Sequence, residues 1–142
     1  MLFVCSMNSV RSPIAAALAR QLFPGRVIAR SVGVNGGKAD SFVHEVMEES
    51  GIDMSVHTPH TMDELIASHF DLVITLSDDA PDAVARKGLE TGALEHWHVP
   101  DPSLVEGPRD VVLAAYRDLR DNLRKRVRER LEALVTGSSQ SP

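Results

Sequence analysis

The chain holds a single cysteine, Cys5, and six residues beyond it an arginine, Arg11, followed by Ser12 and Pro13. A thiolate is a strong nucleophile. A guanidinium presents a planar fork of N–H donors that matches two oxygens of a tetrahedral oxyanion. The pair suits attack by sulfur on a phosphorus-like centre whose oxygens the arginine holds. Backbone N–H groups of the intervening loop can curl around the same anion. A helix starting near Ser12, with Pro13 as its first residue, aims its positive end there too. Ser6, Met7, Asn8, Ser9, Val10, Arg11 and Ser12 are therefore the expected phosphate cradle. The helix terminus and the cation both favour the thiolate of Cys5. A GxxxxGK[ST] or GxGxxG loop is absent from this stretch.

Transfer of a phosphoryl group to sulfur needs a proton donor for the departing oxygen. Asp101 stands between Pro100 and Pro102, which stiffen the loop that carries it. It is the candidate general acid and, in the reverse sense, the base for water. The alternative for Asp101 is a plain turn residue, a common role for Asp-Pro. Asp78 and Asp79 are rival acids, expected instead to cap the next helix. His96 and His98 would share one strand face, but no third ligand follows, so they read as structural and no metal is expected. His60 and His69 read as surface residues, and Trp97 as core. No cofactor is implied. An inert buried thiol is the plain alternative for Cys5.

These residues need elements to position them. Short apolar or β-branched runs at Leu2–Val4, Val27–Ser31, Asp71–Leu76 and His96–Val99 read as strands buried on both faces. Helical patterns lie between them. Ser12 is expected to cap the first, which runs to Pro24-Gly25. "DSFVHEVMEESG" places Phe42, Val43, Val46 and Met47 on one face and ends at Gly51. "TMDELIASH" opens with Thr61 and Glu64 as a capping box. "DAPDAVARKG" ends at Gly88. Val112, Tyr116, Leu119, Leu123, Val127, Leu131 and Leu134 mark one stripe on a long last helix. Alternation of strand and helix predicts an α/β fold: a single domain with a four-stranded parallel sheet flanked by helices. Ligands in such sheets bind beyond the carboxyl ends of the strands, where Cys5 and Asp101 both fall.

The 142 residues suit one domain, expected over 1–136, with a flexible polar tail at 137–142. A 43% hydrophobic content implies a packed core. The net charge of −5 argues against nucleic acid as a partner. "RKRVRER" therefore reads as the solvated face of the last helix. No apolar run is long enough to span a membrane, and no secretion signal is evident. One cysteine excludes an internal disulfide and a CxxC zinc site, and fits a cytoplasmic location where thiols stay reduced. No oligomeric state is implied.

The constellation CxxNxxRS at the N-terminus resembles the low-molecular-weight protein tyrosine phosphatases and the thioredoxin-type arsenate reductases that share their fold. The resemblance covers nearly the whole chain: "RSVGV", "GIDMSVH", "FDLVITLSD" and "VPDPS" are similar to successive family segments. It implies Cys5 as nucleophile, Arg11 as the ligand of the phosphoryl oxygens, Ser12 as support for the thiolate and Asp101 as the acid. It also implies that Asn8 holds a left-handed turn, a conformation Asn tolerates, and that His57 braces Asn8 and Ser12.

Several positions depart from the family. Ser6 and Met7 follow the cysteine, and Val10 stands where many members carry a second loop cysteine. Ser103 replaces the tyrosine that often follows Asp-Pro, and "VNGGKAD" offers no aromatic to sandwich a phenol ring. The two further cysteines that usually relay electrons in the reductases are absent. The readings are thus a phosphomonoester hydrolase acting on a phosphorylated protein or small phosphomonoester through a Cys5 thiophosphate, an arsenate reductase drawing on an external small thiol, or a non-catalytic phosphate-binding module. A retained Cys5 and Asp101 favour an enzyme, since binding alone needs neither.

Overall fold

The computed structural model describes residues 1–140, with side chains through Val135. Its elements are β1 (Leu2–Cys5), α1 (Arg11–Leu22), β2 (Arg30–Gly33), α2 (Ser41–Glu48), β3 (His69–Thr75), α3 (Ala80–Lys87), β4 (Glu90–His96) and α4 (Arg109–Gln140), with single 3-10 turns at Met62–Glu64 and Pro102–Leu104. The four strands are parallel in the order β2-β1-β3-β4. β1 is central and wholly buried, as its unbroken apolar run requires. Its pleat splits the core. Phe3 joins Leu72, Ile74, Ile14, Leu18 and Tyr116 on one face of the sheet. Leu2 and Val4 join Val73, Met62 and Val84 on the other. The chain leaves β1 toward β2 on one side and later returns to β3 on the other. The β1/β3 junction is therefore the switch point of the sheet, and Cys5 closes the β1 side of it.

The α/β class, the parallel sheet and the long last helix agree with the sequence reading, but several boundaries do not. The fourth strand is Glu90–His96, so the expected His96–Val99 begins where it ends. β4 is an edge strand with alternating exposure, and a search for a continuous apolar run passes over it. β2 lies at Arg30–Gly33 rather than Val27–Ser31. The helix expected at "TMDELIASH" is one 3-10 turn: its capping box forms, but the chain is extended again at Leu65 and enters β3 at His69. Ser12 does not cap α1. Val10 occupies that position, and Ser12 is the second helical residue, its hydroxyl turned inward. On α4, Tyr116, Leu119, Leu123, Val127 and Leu131 are buried, whereas Leu134 is 43% exposed because the stripe outruns the sheet. Helical backbone continues through Gln140; the expected tail at 137–142 otherwise lies outside the residues described with side chains.

Candidate active site

Cys5 ends β1, and residues 6–10 carry the chain to α1. The loop turns at Asn8, where φ is +54°, in the left-handed region that Asn enters more readily than most side chains. Asn8 is fully buried and every polar group of its side chain is used. Its Nδ2 donates to Ser12 Oγ at 2.8 Å, and its Oδ1 accepts from the His60 backbone N–H at 2.9 Å. His57 Nε2 lies 3.0 Å from the Asn8 carbonyl oxygen. A carbonyl only accepts, so Nε2 carries the proton. The expected brace of His57 on Asn8 thus exists, while Ser12 receives no bond from it. Because Asn8 already donates to Ser12, the serine hydrogen is free to point at its nearest acceptor, Cys5 Sγ at 2.9 Å; the Val32 carbonyl is farther, at 3.4 Å.

The cradle also needs a close neighbour without a side chain. A Cβ on Gly33 would lie 2.6 Å from the Met7 carbonyl carbon and 2.7 Å from the Asn8 nitrogen. The end of β2 therefore presses directly on the loop.

Arg11, the first residue of α1, is anchored through one amino group. Nη1 donates to the Val99 carbonyl at 3.1 Å and to the Leu76 carbonyl at 3.3 Å, the chain ends beyond β4 and β3. Nη2 has a long contact to Ser6 Oγ at 3.5 Å and lies 3.8 Å from Asp101 Oδ2. Nε has no partner among the described residues. The Nε/Nη2 edge is the pair of parallel donors that fits two oxyanion oxygens. Asp101 divides its carboxylate. Oδ1 accepts from the Ser103 N–H at 2.9 Å and hydroxyl at 2.7 Å, capping the 3-10 turn, and Oδ2 is left facing Arg11. The turn reading and the acid reading of Asp101 thus use different oxygens.

Cys5, Ser6, Met7, Arg11 and Asp101 line one open cavity of about 450 Å³. Its far wall comes from residues 38–42, the end of the "VNGGKAD" loop and the first turn of α2, and the approach of Phe42 to Cys5 has no signal in the sequence. Lys38, Asp40 and Phe42 stand there, so an aromatic does reach the site although "VNGGKAD" has none. Asp40 caps α2, accepting from the Phe42 and Val43 N–H groups, and its Oδ2 receives the Tyr116 hydroxyl at 2.7 Å. Burial, and then this bond, push the Tyr116 phenol above its ordinary value. The Asp40 signal was available in the sequence as an Asp before an apolar-periodic run.

Asp78 and Asp79 do not cap α3 with their side chains. Asp79 Oδ1 instead accepts from Ser6 Oγ at 2.9 Å and Ser77 Oγ at 2.6 Å. Asp78 lies 3.8 Å from His96, whose Nδ1 meets Thr75 Oγ1 at 2.7 Å. His98 falls beyond β4, so the two histidines do not share a strand. Among the described residues no group of three His, Cys, Asp or Glu side chains is placed to hold a metal. Trp97 is buried edge-on to Phe3, and His60 and His69 are exposed.

A thiol at the end of the central strand, an arginine beside it at a sheet switch point and an adjacent carboxylate suit a cysteine-dependent enzyme of the low-molecular-weight phosphatase fold. Comparison with known proteins places it more closely. The sequence model of the low molecular weight phosphotyrosine protein phosphatases matches residues 1–139, and the chain belongs to that family. It is 31% identical over 127 residues to an arsenate reductase of Bacillus subtilis, covering 89% of this chain and 91% of that protein. To arsenate reductase 1 of Staphylococcus haemolyticus it is 32% identical over 135 residues, 94% and 95% of the two chains. Among solved structures, an arsenate reductase in the phosphate-binding state superimposes with a TM-score of 0.77 at 27% identity, covering 93% of this chain and 95% of that one. An arginine phosphatase from Geobacillus stearothermophilus gives 0.74 at 26%, covering 99% and 96%.

Proposed function

We propose that the protein is a phosphomonoester hydrolase that works through a Cys5 thiophosphate. The observation that carries this reading is the placement of Asp101 Oδ2 at 3.8 Å from Arg11 Nη2, over a cradle that contains the chain's only thiol. The substrate phosphoryl oxygens take the loop N–H groups and the Nε/Nη2 edge of Arg11. The Cys5 thiolate, stabilised by the Ser12 hydroxyl, attacks phosphorus; an S–P bond forms as the P–O bond to the leaving group breaks. Protonated Asp101 gives its proton to the departing oxygen. The resulting carboxylate then takes a proton from water, whose oxygen attacks phosphorus. The S–P bond breaks, releasing phosphate and restoring the thiolate.

A second reading is favoured by the relatives named arsenate reductases. Arsenate would take the same cradle and condense with Cys5, losing water to give a sulfur–arsenic(V) adduct. An external small thiol would attack the Cys5 sulfur, reducing arsenic to arsenite and leaving a mixed disulfide. A second external thiol would release Cys5. The hydrolase reading needs nothing from outside but water, whereas this one needs two thiols that the chain does not carry.

The two are separated by measuring phosphate release from an aryl phosphate beside arsenite formation from arsenate plus glutathione. Turnover of the ester by wild type, abolished in Cys5→Ser, is the expected result. Arsenite formation without ester turnover would replace the hydrolase reading with the second.

A further inference from the structure

We propose a second oxyanion-binding site on the back of the cradle, in the cavity of about 450 Å³ between the end of α1, the edge strand β2 and the segment 57–65. Two guanidiniums and two imidazoles line it: Arg20 from α1, Arg30 from β2, and His57 and His60. In a chain of net charge −5, the lining holds one carboxylate among the described residues, Glu64. Glu64 is already committed. One oxygen accepts the Thr61 N–H in the capping box, and the other lies 3.4 Å from His60 Nδ1.

The cations have no such partners. Arg30 makes no side-chain hydrogen bond or ion pair among the described residues. Arg20 donates through Nη1 to the Ala29 carbonyl at 2.8 Å, with no carboxylate within 4.0 Å among the described residues. Loss of hydration there lowers its pKa, the direction expected for a cation without a counter-charge. His57 spends Nε2–H on the Asn8 carbonyl, and its Nδ1 has no protein partner among the described residues. Two planar forks around one cavity suit a tetrahedral oxyanion, which offers several acceptor oxygens at once, and His57 Nδ1, the acceptor nitrogen of a ring whose Nε2–H is already spent, can take the hydroxyl hydrogen of a singly protonated phosphate. The volume falls within the range of small-molecule sites, large enough for a free phosphate or one carried on an organic group. This cavity contains neither Cys5 nor Arg11. Backbone groups of His60 and Val32 and the imidazole of His57 join it to Asn8 and Ser12 of the catalytic loop, and the two arginines make no contact with that loop among the described residues.

The test is a titration of isotope-labelled protein, followed by NMR, with inorganic phosphate, adenosine monophosphate and a phosphoserine peptide as probes. The amides of Ser6 to Val10 report the cradle. The Arg20 and Arg30 Nε–H groups and the His57 ring report the back cavity. The expected result is two saturations with separate midpoints. In Arg20→Gln/Arg30→Gln the back-cavity midpoint rises about tenfold or more while the cradle midpoint stays within about twofold. Saturation by inorganic phosphate makes the free ion sufficient; saturation by the nucleotide or peptide alone assigns the site to a carried phosphate. Either outcome supports the site. Should the double variant not fold, Arg30→Gln alone, at an exposed and unbonded side chain, is expected to shift only the back-cavity midpoint. The proposal is overturned if the back-cavity signals stay still with all three probes, follow the cradle midpoint, or saturate unchanged in the variants.

Discussion

Arg11 Nη2 and Asp101 Oδ2 stand 3.8 Å apart at the rim of the cavity, one group carried by the first turn of α1 and the other by the loop beyond β4. The guanidinium does not float between them, because Nη1 is tied to the Leu76 and Val99 carbonyls. Arg11→Lys keeps the charge and loses both this anchor and the parallel Nε/Nη2 edge. Turnover of an aryl phosphate is expected to fall by well over tenfold, that is by more than about 1.4 kcal/mol of transition-state stabilisation. A smaller loss in steady-state kcat/KM would mean that charge alone suffices.

Asp101→Asn retains shape and removes the proton. If Oδ2 is the donor, the damage grows with the basicity of the leaving group. Nitrophenyl phosphate, whose phenolate departs unaided, should suffer modestly. Phenyl and alkyl phosphates should slow toward the range of about 10²–10⁴-fold typical of general acid catalysis. The check is burst-phase rate against leaving-group pKa, where the variant must show the steeper negative slope. Parallel lines would reduce Asp101 to the turn cap that its Oδ1 already makes, and Asp79 would become the acid to test.

Asn8 combines a positive φ with three hydrogen-bonded groups, and two substitutions separate these roles. Asn8→Gly keeps the conformation and loses the side-chain bonds; Asn8→Ala loses the bonds and adds the strain of a Cβ at φ +54°. Alanine is expected to lower stability by about 1 kcal/mol more than glycine does, read from denaturant midpoints at constant m-value. Both should slow turnover, because Ser12 loses the donor that directs its own hydrogen toward Cys5.

The sequence announces the cradle because one loop carries almost all of it. Cys5, Asn8, Arg11 and Ser12 lie within eight residues, so spacing alone brings them together. What the spacing cannot show is the set of partners drawn from elsewhere. The Leu76 and Val99 carbonyls and the His60 N–H are backbone groups with no residue-type signature. Phe42 reaches the cavity only through the position of α2. The strands follow the same division: β1 and β3 are central and declare themselves by apolar runs, while β4 is an edge whose alternating residues look like a loop until the sheet is assembled. A serine before a proline suits a cap, yet Ser12 has another task. Its hydroxyl is instead held inside by Asn8 and Cys5.

The α2–α4 contact carries a pH signature. Glu49 accepts from Arg117 and Arg120, hydrogen bonds that hold its carboxyl down at about 2, against an ordinary 4.5. A carboxyl depressed by folding contributes stability that is present above its ordinary value and lost as pH falls toward the folded one. Thermal midpoints of wild type should therefore decline between about pH 4.5 and 2, and Glu49→Gln should remove part of that slope while lowering the midpoint at neutral pH. Equal acid slopes in the two proteins would place the titration elsewhere.

Cys5 is the only sulfur in the chain capable of a disulfide, and it lies at the bottom of an open cavity. Peroxide that enters the cradle and oxidises Cys5 to a sulfenic acid leaves it with no second thiol on the chain to trap that state. Further oxidation would then proceed to forms that ordinary thiols do not reverse. Without a second cysteine, a thiol that reduces the sulfenic acid comes from outside and has to enter by the same cavity. On the proposed reading, an oxyanion seated in the cradle shields the sulfur by occupying that same path. On the proposed reading, survival under oxidative stress follows the ratio of oxyanion and small thiol to peroxide around the protein, since no second cysteine stands on the chain.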